Sequence, residues 1–408
     1  MHNFVATVSN TTMMSSDTIG PAQIRVVALC ALVTLIEGID LTLIPVLAPR
    51  FREAWNVTAG TFSIILALGP VGLILGGLGI GWLADRIGRR NALICAMLLM
   101  TAATFVTTLC TNVPQLLMAR LISGIAFGGV IPAAVALVSE SLPERVRGNV
   151  VAMVFLGQAG GGLLAAVLVR LPMMAGPWQT PVLYVAGGCA AVTVLLMLSL
   201  PESPRYLEKS GPRNRFRDLF TEGRATGTAL LWATFIGVCF AVSFFTNSLT
   251  LTYSHTGKPS DVGVDATGIY SAGAMLGGLI LPLFARRWRN TRVLLVSIVA
   301  AVGSCFVIGL VLPMGYAANM AAAALCGVFV SGAFFMLYPP TVQFYPTRIR
   351  STGIGAAIAF GRIGNITSPM VAGLMLDASM SPSSVFYVIA LPMVLSCVTL
   401  VAFDRHTS

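Results

Sequence analysis

Two carboxylates stand where carboxylates are costly. Glu37 and Asp40 lie inside a run of apolar residues from Val26 to Ala48, and their i, i+3 spacing places both on one face if the run is helical. A charged side chain at the middle of a bilayer costs about 2.5–3.5 kcal/mol on the mildest scale, and two acids one turn apart repel. Such a pair persists only when protonated, paired with a cation or facing water. Arg120 and Arg362 pose the matching problem in two other apolar runs. Arginine offers a planar fork that holds a carboxylate bidentately and keeps its charge at every relevant pH. The four groups therefore fit a site that binds an organic anion at arginine. The acid would carry a proton, because its charge state follows its neighbours. Asp40 is the first candidate for the proton and Glu37 the second. Arg362 is the first candidate for the anion and Arg120 the second, with neutralisation of Glu37 or Asp40 as its other role. The plainer alternative is a structural salt-bridge network, yet buried ion pairs are weak stability devices.

The elements that hold these groups are membrane helices. Of 408 residues, 56% are hydrophobic and 10% charged, and the mean hydropathy is +0.86; soluble domains carry about 25% charged residues. Runs near 20 residues, the length that crosses a bilayer, recur at 26–49, 61–84, 91–110, 114–139, 150–171, 179–200, 227–251, 266–285, 293–313, 317–340, 353–376 and 384–403. The fold expected is an all-α membrane protein of twelve transmembrane helices in two pseudo-symmetric six-helix bundles. Residues 1–25 form an N-terminal tail, 26–200 the first bundle, 201–226 a linker, 227–403 the second bundle and 404–408 a C-terminal tail. The first 24 residues are polar and do not read as a secretory signal.

The net charge of +10 is a matter of placement. Of the 25 Lys and Arg residues, 19 fall on the side of the chain ends, four on the opposite side and two within spans. That asymmetry puts both termini in the cytoplasm of a cell (inner) membrane, and it removes nucleic acid as a partner. The eight cysteines lie in or beside apolar runs without metal-ligand spacing, so they read as packing residues and no metal or cofactor is expected. His2, His255 and His406 fall outside the spans, and no hydrolase, metalloprotease or phosphate-binding motif is present, which excludes the common enzyme classes.

The two halves repeat. Gly81-Trp82-Leu83-Ala84-Asp85-Arg86-Ile87-Gly88-Arg89-Arg90 aligns with Leu281-Pro282-Leu283-Phe284-Ala285-Arg286-Arg287-Trp288-Arg289-Asn290, keeping two arginines and losing the acid. Pro143-Glu144-Arg145-Val146-Arg147 aligns with Pro346-Thr347-Arg348-Ile349-Arg350. Parallel six-span repeats are a transporter architecture. The first of these loops resembles the signature loop of the major facilitator superfamily. Arg120-x-x-x-Gly124-x-x-x-Gly128-Gly129-x-x-Pro132 resembles its fourth-helix motif, and Pro201-Glu202-Ser203-Pro204-Arg205-Tyr206-Leu207 its motif after the sixth helix. Combined with the acidic first helix, Tyr345 to Gly353 and Phe360-Gly361-Arg362-Ile363-Gly364 resemble the aromatic acid:proton symporter family. That family usually reads Asp-Gly-x-Asp where this chain has Glu37-Gly38-Ile39-Asp40. The resemblance implies import of a benzoate-like carboxylate with protons, by alternating access and as a monomer. A carrier of an aliphatic carboxylate or a sugar is the nearest alternative, and a non-transporting receptor of the same fold the more distant one.

Further site candidates follow from position. Gln158 stands at the repeat position that matches Arg362, so a neutral amide would face the cation. Asn247, Phe245, Tyr270 and Tyr338, with Phe244, Phe334 and Phe335, are candidates for an aromatic-ring pocket. The loop residues Gly81, Asp85, Arg86, Gly88, Arg89 and Arg90 read as a gate, with Asp85 as a one-sided latch and Glu140 paired to Arg86 or Arg147. Glycines at 72/76, 77/81, 124/128 and 273/277 have the spacing that lets helix backbones approach.

Overall fold

The structure is a computed structural model, and it describes residues 20–202, 216–285, 287–346 and 349–407. Twelve long helices follow one another: α1 Pro21–Val46, α2 Ala59–Ile87, α3 Arg89–Thr108, α4 Val113–Ser141, α5 Glu144–Arg170, α6 Gln179–Ser199, α7 Ala225–Asn247, α8 Ser260–Phe284, α9 Asn290–Val311, α10 Tyr316–Phe344, α11 Arg350–Asp377 and α12 Pro382–Thr407. Among the described residues, ten of these helices are long and apolar enough to cross a membrane. With an even number of crossings, both described chain ends lie on one face, called here the terminus face.

Several helices begin before their apolar runs do. α1 starts at Pro21 against an expected 26, and α8 at Ser260 against 266. Hydropathy marks only the part that fits hydrocarbon, whereas capping marks where the helix starts. Pro21 occupies the first helical position of α1, where its missing N–H costs nothing. The Thr58 and Asn112 side chains accept from the backbone of Thr61 and Gln115 to open α2 and α4. On the face opposite the chain ends, α1 and α7 each run into a short helix, Ala48–Trp55 and Leu249–Ser254, an echo of the internal repeat. α10 is broken by a π-helical turn at Gly327–Ser331.

Glycine decides how the helices cross. Gly72, Gly76, Gly124 and Gly128 bring the backbones of α2 and α4 together, and Gly273, Gly277 and Gly327 do the same for α8 and α10. These two crossings are repeat equivalents. On α1, Gly38 lies against the backbone of Gln158 on α5, and Gly161 answers it against the Leu35 carbonyl. A side chain on Gly38 would drive into main chain, which cannot yield as a flexible side chain does. Gly38→Val is therefore expected to lower the yield of monodisperse protein severalfold and its melting temperature by several degrees, since overpacking costs about 1–3 kcal/mol or more. Size-exclusion chromatography and a thermal melt in detergent check it.

The outer surfaces of the helices are apolar. Leu198 is 80% exposed, Leu374 65% and Leu310 63%, a belt that suits hydrocarbon contact and would be an aggregation hazard in water. All eight cysteines are free thiols, six of them buried among packed helices. The chain is an integral multi-pass membrane protein.

Candidate functional site

The four intramembrane charges meet in the centre. Glu37 and Asp40 are each 1% exposed and Arg120 5% exposed, while Arg362 is half-buried. A central cavity of about 60 Å³ is lined by apolar residues of α1 and α2, among them Ile44, Pro45, Leu66 and Pro70, and by Phe127 of α4. Its polar wall consists of Arg120, Ser123, Asn247, Arg362 and Asn365. Both arginines face this space and the two acids stand behind the wall. Pro45 and Pro70 sit inside their helices, where a ring in place of an N–H removes a helical hydrogen bond and bends the helix, here beside the cavity. The volume equals about two waters at about 30 Å³ each, so a ring-bearing ligand requires the two bundles to part further.

The charges sort into two couples. Arg362 is the charge that acts most strongly on Glu37, and Arg120 the charge that acts most strongly on Asp40. The first couple spans the two bundles and the second lies within one. Thr104 and Thr107, one turn apart on α3, serve the second couple: Thr104 Oγ1 donates to Asp40 Oδ1 at 3.1 Å and Arg120 Nη2 donates to Thr107 Oγ1 at 3.3 Å. No two of the four charged groups are in direct ion-pair contact. One oxygen of each acid, Glu37 Oε2 and Asp40 Oδ2, and Nε of Arg120 are buried without a hydrogen-bond partner. Acting through space in a low-dielectric interior, such charges interact strongly without being locked to one geometry.

The aromatic candidates are placed differently from the sequence expectation. Phe245 and Tyr270 stack on each other with centroids 5.1 Å apart, and the Tyr270 hydroxyl pairs with Ser331 at 2.7 Å. They are core packing of the second bundle, because a buried tyrosine must satisfy its hydroxyl and here another helix does so. Tyr338 packs edge-on against Phe235 and Phe334, within electrostatic reach of Arg362 but outside the cavity wall. Gln158 is half-buried at the α1 crossing and is likewise not in the wall. Of the ring-pocket candidates, Asn247 alone lines the cavity. Residues passed over in the sequence are Ser123 and Asn365, each one turn beyond its arginine, and the Thr104/Thr107 pair. The signal was polar residues at i+3 from a charge, or from each other, within an apolar run.

On the terminus face, Arg89 pairs with Glu140 at 3.6 Å. Arg90 donates from Nη2 to the Met197 carbonyl at 2.8 Å and from its backbone N–H to Glu202 at 3.0 Å. These links bind α3 to α4 and α6 within the first bundle. Gly88 has φ of +95°, a conformation that admits glycine readily, and it turns the chain from α2 into α3. Arg86 is exposed. The side chains of Asp85 and Arg147, and Gly81, lie outside the described residues.

Between described residues, the polar links that join the two bundles all lie on the far face. Arg170 at the end of α5 bridges Asp261 and Asp265 at the start of α8. Asp265 also accepts from Tyr316 at 3.0 Å. Asp377, the last residue of α11, accepts from the Gly60 N–H in the first turn of α2 at 2.9 Å, where a helix N-terminus favours a carboxylate.

The family model of the Major Facilitator Superfamily matches residues 30–345. The chain belongs to the Major Facilitator Superfamily. Within that superfamily it is 33% identical to the 3-(3-hydroxy-phenyl)propionate transporter of Escherichia coli (strain K12) over 86% of each chain. It is 26% identical to the 4-hydroxybenzoate transporter PcaK of Pseudomonas aeruginosa, covering 94% of this chain and 93% of that one. In fold it matches the crystal structure of a D-xylose-proton symporter with a TM-score of 0.78 at 15% identity, over 93% of this chain and 97% of the other. As a member of the superfamily, the chain is a membrane transporter and not an enzyme.

Proposed function

We propose that this transporter imports an aromatic carboxylate together with a proton. The observation that carries the reading is the cavity itself. One arginine from each bundle faces a largely apolar space, and each is the strongest charge partner of a buried acid behind it. An apolar wall suits a ring, and a guanidinium fork suits its carboxylate. The names of the relatives support the same substrate class. A sugar has no anionic group to meet the two arginines that share this wall with Ser123, Asn247 and Asn365.

Glu37 is the coupling acid in this reading. Its partner Arg362 lies across the bundle interface, so its charge state bears on how the bundles sit. Asp40 and Arg120 form the fixed couple, braced by Thr104 and Thr107. Without substrate, ionised Glu37 balances the charge of Arg362 through space; a proton on Glu37 leaves that charge to the incoming carboxylate. Rocking then opens the terminus face, and substrate and proton leave together. The positive excess on that face supports termini in the cytoplasm and entry from outside the inner membrane. The polypeptide between the bundles at 201–226 is then a cytoplasmic tether, and a single chain suffices for transport.

One proton with one monoanion moves no net charge, and only a moved charge would draw on the membrane potential, about 2.3 kcal/mol per 100 mV. In proteoliposomes, uptake of benzoate or 3-phenylpropionate and their hydroxy derivatives is expected to accelerate when the outside is acidified. It is expected to be indifferent to a potassium-valinomycin potential. Uptake that follows voltage and ignores the pH gradient refutes the coupling, and no uptake of any aromatic acid refutes the substrate class.

A further inference from the structure

The part of the cavity wall formed by α7 and α11 has a direction. Asn247, the last residue of α7, donates through Nδ2 to Ser243 Oγ one turn earlier, at 3.1 Å. The Ser243 hydroxyl has a single proton, and it goes to the main-chain carbonyl of Asn365 on α11 at 2.9 Å. With that proton committed, Ser243 offers the amide only lone pairs. The NH₂ edge of Asn247 must therefore face Ser243, since a flipped amide would set oxygen against oxygen. The Asn247 carbonyl oxygen is left with no hydrogen-bond partner among the described residues, on a side chain that lines the cavity. Asn365 lies three residues beyond Arg362 on α11, about 4.5 Å along the axis, and its own amide likewise has no partner among the described residues. An anion-holding fork and an oriented acceptor thus share one wall. Ser243 is 3% exposed and belongs with α11 to the same bundle, so the arrangement travels as a unit when the bundles move.

This inference rests on the reading that the cavity takes an aromatic carboxylate. We propose that Asn247, positioned by Ser243, accepts a hydrogen bond from a hydroxyl group on the substrate's ring. The transporter thereby selects hydroxylated aromatic acids over their unsubstituted and O-methylated counterparts. The oriented Asn247 acceptor is left unsatisfied when the ring carries no donor, and sites built around such a bond reject the analogue that lacks it. A methyl ether fails twice, having no proton to give and an extra methyl group to seat against the amide. Asn365, with a donor and an acceptor both unused, is placed to hold the lone pairs of the same hydroxyl.

The test is calorimetric binding to the purified full chain of 3-phenylpropionate, 3-(3-hydroxyphenyl)propionate and 3-(3-methoxyphenyl)propionate, with the 4-substituted isomers alongside. The expected result is binding of at least one hydroxy isomer about tenfold or more tighter than its unsubstituted and methoxy partners. Asn247→Leu should bring that ratio near one. Ser243→Ala should shrink it, because the amide is then free to turn. A ratio taken within one preparation does not change with the fraction of folded protein, and the series on the unmutated chain decides the matter if a variant fails to fold. Equal affinity for the hydroxy and methoxy acids overturns the proposal, as does a ratio unchanged in both variants. Binding of all three acids without preference leaves the aromatic-acid reading standing while this inference falls; binding of none overturns the aromatic-acid reading itself.

Discussion

Replacing Arg362 with methionine is expected to reduce uptake of an aromatic carboxylate by on the order of a hundredfold or more, in protein that still elutes as a single species. The magnitude follows from removing one partner of a desolvated, charge-assisted pair, which costs roughly 2–5 kcal/mol. The guanidinium has no hydrogen bond within the described protein and faces the cavity, so little in the fold depends on it. Arg362→Lys should recover only part of the rate, since an ammonium keeps the charge without the fork. The structure adds a sharper expectation. Because Glu37 and Arg362 act on each other across the bundle interface, their effects should not add. The double variant Arg362→Met with Glu37→Gln should transport about as poorly as Arg362→Met alone. Initial rates of radiolabelled substrate uptake in proteoliposomes measure all of these. Near-normal uptake by Arg362→Met would move the anion site to Arg120.

Glu37→Gln is the second large effect, and its signature is qualitative. A glutamine imitates the protonated acid but cannot lose a proton, so Arg362 stays available to substrate in every state. Counterflow of labelled against unlabelled substrate should persist, while accumulation driven by an inward proton gradient should fall to the equilibrium level. The pH dependence of the uptake rate should flatten at the same time. Asp40→Asn should behave differently. Asp40 is held by Thr104 and is the main charge partner of Arg120, all within the first bundle, so its loss leaves a buried arginine uncompensated and should reduce folded protein and exchange alike. If Asp40→Asn retains exchange and loses accumulation while Glu37→Gln accumulates normally, the coupling role belongs to Asp40.

Glu37, Asp40, Arg120 and Arg362 were legible in the sequence because a charge inside a twenty-residue apolar run is conspicuous whatever the fold. The helix count was legible for the same reason, and the two-bundle design showed in the paired arginine loops. What the sequence did not reveal is which acid belongs to which arginine, since that depends on how α1 rotates against α3, α4 and α11. Sequence placed Asp40 ahead of Glu37 as the proton carrier; the couples in the structure favour the reverse. Aromatic residues misled in an instructive way. Phe245 and Tyr270 have the composition of a ring pocket, yet in a helix bundle most rings fill gaps between neighbouring helices, and only a contact map separates the two uses. Asn365 and Ser123 escaped notice because a single amide or hydroxyl in an apolar helix is common. They gain meaning from standing one turn beyond an arginine.

The glycine crossings of α2 with α4 and of α8 with α10 carry a consequence for selectivity over time. Where backbone rests on backbone there is no compressible layer of side chains, so each bundle behaves as a stiff lever. With a hydrocarbon slab about 30 Å thick and a pivot near its middle, a tilt of roughly 20° displaces either face by about 5 Å. A guest at the pivot feels the full leverage of both arms. A ring slightly too thick for the closed cavity need not bind weakly, since the open state has room for it. It would instead hold the levers apart. Discrimination by size would then be read in turnover and discrimination by hydrogen bonding in affinity, two independent filters acting on one small space.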